Sequence, residues 1–258
     1  MSRKTTGAFV VLALALAAAA SPQLFRTDLT LHQTTTSTGM MGGGGGGGPQ
    51  DSTLCFSGNA MKQSSSDGSD FIIRFDQNKM VFIDNKKKTY SEMTFDELQQ
   101  TMDRAAEQLK GMNTEQLEAM RKLMGQTTGE VKATHQGAGE TIAGYATEKY
   151  LVSMPPMEME IWSAPGLTVP AAYYNALKLR MPRNPILDMG KMYDEMKKVK
   201  GMTMKSIISM KMMNMNMTTT SLVTSVEKGA IAASTFDVPA GYTAAPFPGA
   251  QSPGRKRP

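Results

Sequence analysis

Between Asp51 and Met93 the apolar positions alternate with polar ones: Leu54 and Phe56 in "DSTLCFSGNAMKQ", then Phe71, Ile73 and Phe75 in "FIIRF". A strand sends successive side chains to opposite faces, so each of these sets shares one face. "KMVFID" and "KKTYSEM" follow at short intervals, separated by "DQNK" and "DNKK", with "SSSDGSD" lying before "FIIRF". Asn, Asp, Ser and Gly in those positions favour tight turns, so the pattern predicts an antiparallel meander wetted on one face. Upstream, Leu29 and Leu31 alternate in the same way ahead of the glycine run Gly42 to Gly48 and Pro49. That run lacks the Gly-Lys-Ser/Thr ending of a phosphate loop and reads instead as a flexible insertion in a hairpin.

The period changes at Thr94. Phe95, Leu98, Met102 and Leu109 recur at helical spacing, and Thr94 with Glu97 forms a capping box. A second short helix is expected after Asn113, with both apolar stripes laid against the sheet. Strands resume with "EVKATHQ", "TIAGYATEKYLVS" and "MEMEIWSAPG". In the second of these, Gly144 marks a bulge or a close backbone approach. "AAYYNALKLR" is helical, and Asn184-Pro185 opens another helix with Met189, Met192, Tyr193, Met196 and Val199 as its stripe. Residues from Ser206 onward return to strands, the last of them after the turn at Glu227-Lys228-Gly229. The expected fold class is therefore α+β, an antiparallel sheet with helices packed on its open side.

Charge removes one class of function. The formal net charge is +5, but Arg3 and Lys4 lie at one end and Arg255, Lys256 and Arg257 at the other, leaving the body neutral. Nucleic-acid binding would need a basic face on the folded part, so no nucleic-acid partner is expected. Arg3 and Lys4 precede the apolar run "GAFVVLALALAAAA" and the small residues before Ser21-Pro22, which describes a secretory signal peptide at 1–20. The run is shorter than the ~20 apolar residues of a membrane span, so no span is expected after cleavage. Residues 21–50 then hold the first strand and the glycine insertion, 51–245 the sheet domain, and 246–258 a disordered basic tail. Periplasmic or secreted localisation follows. A lone cysteine, Cys55, allows no internal disulfide in such a compartment.

Three segments carry a resemblance: "IIRFDQNKMVFIDNKKKTYSEMTFDEL", "GETIAGYATEKYLV" with "MEIW", and "AASTFDVPAGY". From about Asp51 to Tyr242 the chain resembles a bacterial family of exported domains, domain of unknown function 4412. The resemblance implies an architecture similar to periplasmic lipoprotein carriers, a curved antiparallel sheet forming an open half-barrel, with helices packed on the concave side and closing its mouth. It implies structural roles for Gly144, Tyr145 and Tyr150, with the two tyrosines on opposite faces of a strand.

Catalytic chemistry finds little support. His32 and His135 have no nucleophile tied to them by spacing, and Asp76, Asp84, Glu148 and Glu160 are carboxylates without a paired motif. The protein is expected not to be an enzyme, and no catalytic, cofactor-binding or metal residue is assigned. Trp162 is the sole tryptophan and reads either as core or as the lining of a cavity. The 24 methionines are the outstanding feature of the composition. Methionine makes adaptable apolar surfaces, which suits a concave face that holds a lipid or acyl chain. Two alternatives stay open: a copper(I) carrier using Met202, Met204, Met210, Met212, Met213, Met215 and Met217, or an interaction module that pairs a sheet edge with a partner. Along a continuous strand those methionines would split, Met210 and Met212 on one side, Met213, Met215 and Met217 on the other.

Overall fold

The computed structural model describes residues 24–39, 48–110, 131–155, 157–170, 173–175, 189–212 and 215–247. The strands are β1 (Phe25–Thr38), β2 (Gln50–Gly58), β3 (Ala60–Ser65), β4 (Ser69–Arg74), β5 (Lys79–Asp84) and β6 (Thr89–Thr94). Helix α1 (Phe95–Lys110) precedes β7 (Lys132–Ala138), β8 (Glu148–Met154) and β9 (Met157–Ala164). Helix α2 (Met189–Met196) precedes β10 (Met202–Met212) and β11 (Met215–Lys228), and a 3-10 turn (Ala233–Phe236) precedes β12 (Thr243–Ala244). All twelve strands join one open sheet in the order β12-β6-β5-β4-β3-β2-β1-β11-β10-β9-β8-β7. It is antiparallel except where β12 runs parallel to β6.

The alternation seen in the sequence sets the two faces. Phe56 pairs with Met61, Met61 with Ile73, and Ile73 with Met80, so these side chains share one face. Leu29 and Leu31, paired with Phe56 and Leu54, extend the same face into β1. Onto it pack Phe95 and Leu98 of α1 and Met192, Tyr193 and Met196 of α2, together with Tyr173 and Tyr174. The capping box of α1 forms as its spacing predicts: Thr94 N donates to Glu97 Oε2 at 2.8 Å, and Glu97 N donates to Thr94 Oγ1 at 3.1 Å. It starts the helix at Phe95, which is 2% exposed and whose burial is worth about 1.5–3 kcal/mol.

The second face departs from expectation. Ile72, Val81 and Ile83 are fully buried there, because the chain after Gly229 does not return as a long strand. Instead Ile231, Phe236, Val238 and Tyr242 lie across the meander, and Arg74 Nη1 bonds Asp237 Oδ1 at 3.2 Å to fasten them. The meander is thus covered on both faces, not wetted on one.

Two further details differ. Gly144 neither bulges a strand nor meets a close neighbour; with Ala143 it forms a tight turn, both at positive φ (81° and 48°), closed by Ile142 and Tyr145 exchanging backbone hydrogen bonds. Tyr145 therefore ends a turn, while Tyr150 lies buried in β8. Close approaches fall at other glycines, such as Gly201, at φ 90°, where a Cβ would stand 1.9 Å from the Ala164 carbonyl oxygen. The helix expected after Asn113, most of the glycine run, the signal segment and the basic tail lie outside the described residues. Among the described residues no helix is long and apolar enough to cross a membrane.

Candidate functional site: an apolar cavity on the sheet

The face shared by Leu31, Leu54, Phe56 and Met61 does not fill completely. A cavity of about 320 Å³ opens above it. Its floor is built by register. Leu31 faces Leu54 across β1 and β2 and Val226 across β1 and β11, and Gln33 faces Val223 one step along. Ser221 faces Ser206, which faces Ile161 in β9, and Met159 lies two residues from Ile161 on the same side. The roof is Val169, Tyr173, Tyr174 and, from α2, Met192, Tyr193 and Met196. Most of this lining is apolar, as a site for a greasy ligand requires.

Aromatic contacts hold the roof. Tyr173 stands 5.3 Å from Phe25, 5.8 Å from Phe75 and 5.3 Å from Tyr174, measured between ring centroids. Its hydroxyl donates to Met61 Sδ at 3.5 Å, a weak bond in place of water. Burial pushes the Tyr173 phenol well above its ordinary value, helped by the neighbouring Tyr174 and Tyr193, and burial raises both of those phenols too. All three stay protonated and neutral, so the roof presents no charge to the cavity.

A second cavity, of about 680 Å³, adjoins the first at Phe25, which lines both. Leu24, Leu29, Leu167 and Pro170 give it an apolar wall, while Arg26 and Lys228 stand exposed at its rim. Lys228 Nζ also lies 5.4 Å from the Tyr145 ring centroid. The second cavity therefore combines an apolar wall with two cations at its rim.

The residues singled out by sequence fall elsewhere. Trp162 belongs to the core and not to the cavity lining; Lys149 and Lys205 flank its ring at 4.6 and 4.5 Å. His32 bonds Thr53 Oγ1 through Nδ1 at 3.1 Å and lies 3.4 Å from Glu227. The four carboxylates do not converge: Asp76 is held by Arg74, Asp84 by Lys87, and Glu160 by Lys149. Glu148 is the exception, since its Oε2 accepts from Tyr150 Oη at 2.7 Å and lies 3.3 Å from His135 Nε2. This trio at the sheet edge escaped the sequence reading because His135 and Tyr150 meet only as cross-strand partners. The cavity-lining Tyr173 and Tyr174 were legible as a helical "AYYN", but the contact of Tyr173 with Phe25 was not, having no local signal.

The described residues thus form an open antiparallel sheet with an apolar cavity under aromatic and helical cover, and no group of three His, Cys, Asp or Glu among them is placed to hold a metal ion. The chain belongs to the family described as Domain of unknown function (DUF4412), whose model matches residues 104–242, more than half of its length. The match ends at Tyr242, where the resemblance in sequence also ends, and begins within α1. No curated protein matches the chain. Among solved structures, the chain is similar to PNGF-II in its P21 form (9% identity, TM-score 0.39) and its C2 form (11%, 0.38), covering 86% and 85% of this chain. The chain spans about a third of the length of those structures, 32% and 31%.

Proposed function

We propose that the protein is an exported, non-enzymatic carrier of the cell envelope that holds an acyl chain in the cavity above the sheet. The sheet acts as a half-barrel resembling the lipoprotein carriers, with its concave face as the floor and α1, α2 and the Tyr173–Tyr174 segment closing the mouth. The observation that supports this most directly is the apolar lining contributed by β1, β2, β3, β9, β10 and β11 together. A volume near the lower end of the ~300–1,000 Å³ of small-molecule sites suits one chain, not a whole bilayer lipid. The adjoining cavity and its rim cations Arg26 and Lys228 suit an anionic head, a carboxylate or phosphate, left at the water boundary.

Native mass spectrometry of protein purified from envelope without detergent tests the reading. The expected result is an added mass of one lipid per chain, recovered unaltered by solvent extraction, and lost in Ser206→Phe, which fills the floor. Chains that carry no lipid and fail to bind a fluorescent fatty acid would overturn it. N-terminal sequencing of the same material tests export, with Ser21 expected as the first residue.

A further inference from the structure

The hairpin of β10 and β11 alters the methionine arrangement that a continuous strand would give. Met210 pairs with Met217 on one side and with Met157 on the other, and Met157 pairs with Met154. Residues directly opposite one another in antiparallel strands share a face, so Met154, Met157, Met210 and Met217 form one rung across four adjacent strands. Neighbours in such a rung have Cα atoms about 4.5–5.5 Å apart, and the flexible methionine side chain lets adjacent thioethers converge with rotamer changes alone. None of the four lines the apolar cavity.

Packing alone does not account for the choice of residue. The next rung along the same face is Val152, Met159, Ile208 and Thr219, three of them the β-branched residues that strands favour. Four consecutive methionines replace that pattern one step outward. Met154 is 3% exposed while Met157, Met210 and Met217 are half-buried, which gives a dry wall on one side and an entry for an ion on the other. Thioether sulfur is a soft, neutral donor that selects copper(I) over zinc, calcium or magnesium. Among the described residues no group of three His, Cys, Asp or Glu offers a harder site.

We propose that this rung binds one copper(I) ion through the Sδ atoms of its three half-buried members, Met157, Met210 and Met217, with the buried Met154 as the dry wall beside it. It is a site separate from the acyl cavity, and it differs from the set that sequence spacing suggests, since Met202 and Met204 belong to the core. No electron transfer is involved: the ion enters and leaves as copper(I).

The test is anaerobic titration of the full chain with copper(I) against bathocuproine disulfonate, with X-ray absorption at the copper edge. One ion per chain with a sulfur-only coordination shell is expected. Met210→Leu with Met217→Leu keeps side-chain volume and so the fold, checked by an unchanged melting temperature, and is expected to weaken binding at least tenfold. Cys55→Ser, which removes the only thiol, is expected to leave affinity within twofold. Failure to retain copper(I), or an unchanged affinity in the double methionine variant, would overturn the site. So would loss of binding in Cys55→Ser.

Discussion

Asp70 lies 7% exposed on the face away from the cavity, with its Oδ2 3.0 Å from Lys62 Nζ. Burying a charge is tolerable only while its partner is present, so Asp70→Asn should destabilise the fold by about 3 kcal/mol by stranding the lysine. Urea unfolding measures that loss, and Lys62→Met combined with Asp70→Leu should recover most of it. Arg74 makes a different use of charge. Its guanidinium donates to both carboxylate oxygens of Asp76, at 3.1 and 2.9 Å, and these bonds hold the Asp76 carboxyl below its usual range. A folded-state pKa below the unfolded value of ~3.9 contributes stability that is full above that pH and is lost as pH falls through the lower folded value. Asp76→Asn should therefore lower stability at neutral pH and flatten the acid limb of a stability–pH curve, read by urea melts between about pH 2 and pH 6. The Lys62–Asp70 pairing was not legible in sequence in the way the Thr94–Glu97 box was. The box is complete within four residues, whereas Lys62 meets Asp70 only through the β3–β4 register.

At the scale of elements, the period-2 alternation made the meander readable from Leu54 to Met93, and all four pairings among its strands, β2 to β6, follow chain order. The covering segment from Ile231 to Tyr242 was not readable as such. Its apolar residues fit neither period, because a chain lying across strands is anchored by single side chains at irregular intervals. Phe236 is one anchor, 5% exposed against Ile72, Val81 and Ile83. Phe236→Ala should cost about 3–5 kcal/mol. Hydrogen exchange should show faster opening of β4 and β5 on losing that cover, and unaltered protection there would mean the segment is dispensable. The opposite end of the sheet is protected more lightly: Glu195 Oε2 accepts from Ala133 N at 2.8 Å, closing one backbone donor on the outer strand β7. The β10–β11 hairpin shows the limit of composition as a guide. Five methionines in eight positions were visible, but Met210 pairs with Met217 across the two strands, and only register reveals it.

For the molecule as a whole, the apolar cavity implies that stability and ligand concentration are linked. A ligand that binds only the folded chain stabilises it by RT ln(1 + [L]/Kd), about 2.7 kcal/mol at a hundred times Kd. Calorimetry with a long-chain fatty acid should therefore show a melting temperature that climbs with concentration, and Ser206→Phe should abolish the climb while folding normally. The rim cations separate two sources of that affinity. Arg26 and Lys228 are exposed, so replacing both with Ala should leave the unliganded melting temperature nearly unchanged. It should weaken the fatty acid, and weaken it further as salt is lowered relative to wild type, since the lost attraction is the part that salt screens. The corresponding fatty alcohol, with the same chain and no charge, should bind both proteins alike. If acid and alcohol lose equally in the double variant, the cations act on packing and the head group is not recognised at that rim; if neither shifts the melting temperature of the wild type, the cavity is not an acyl site.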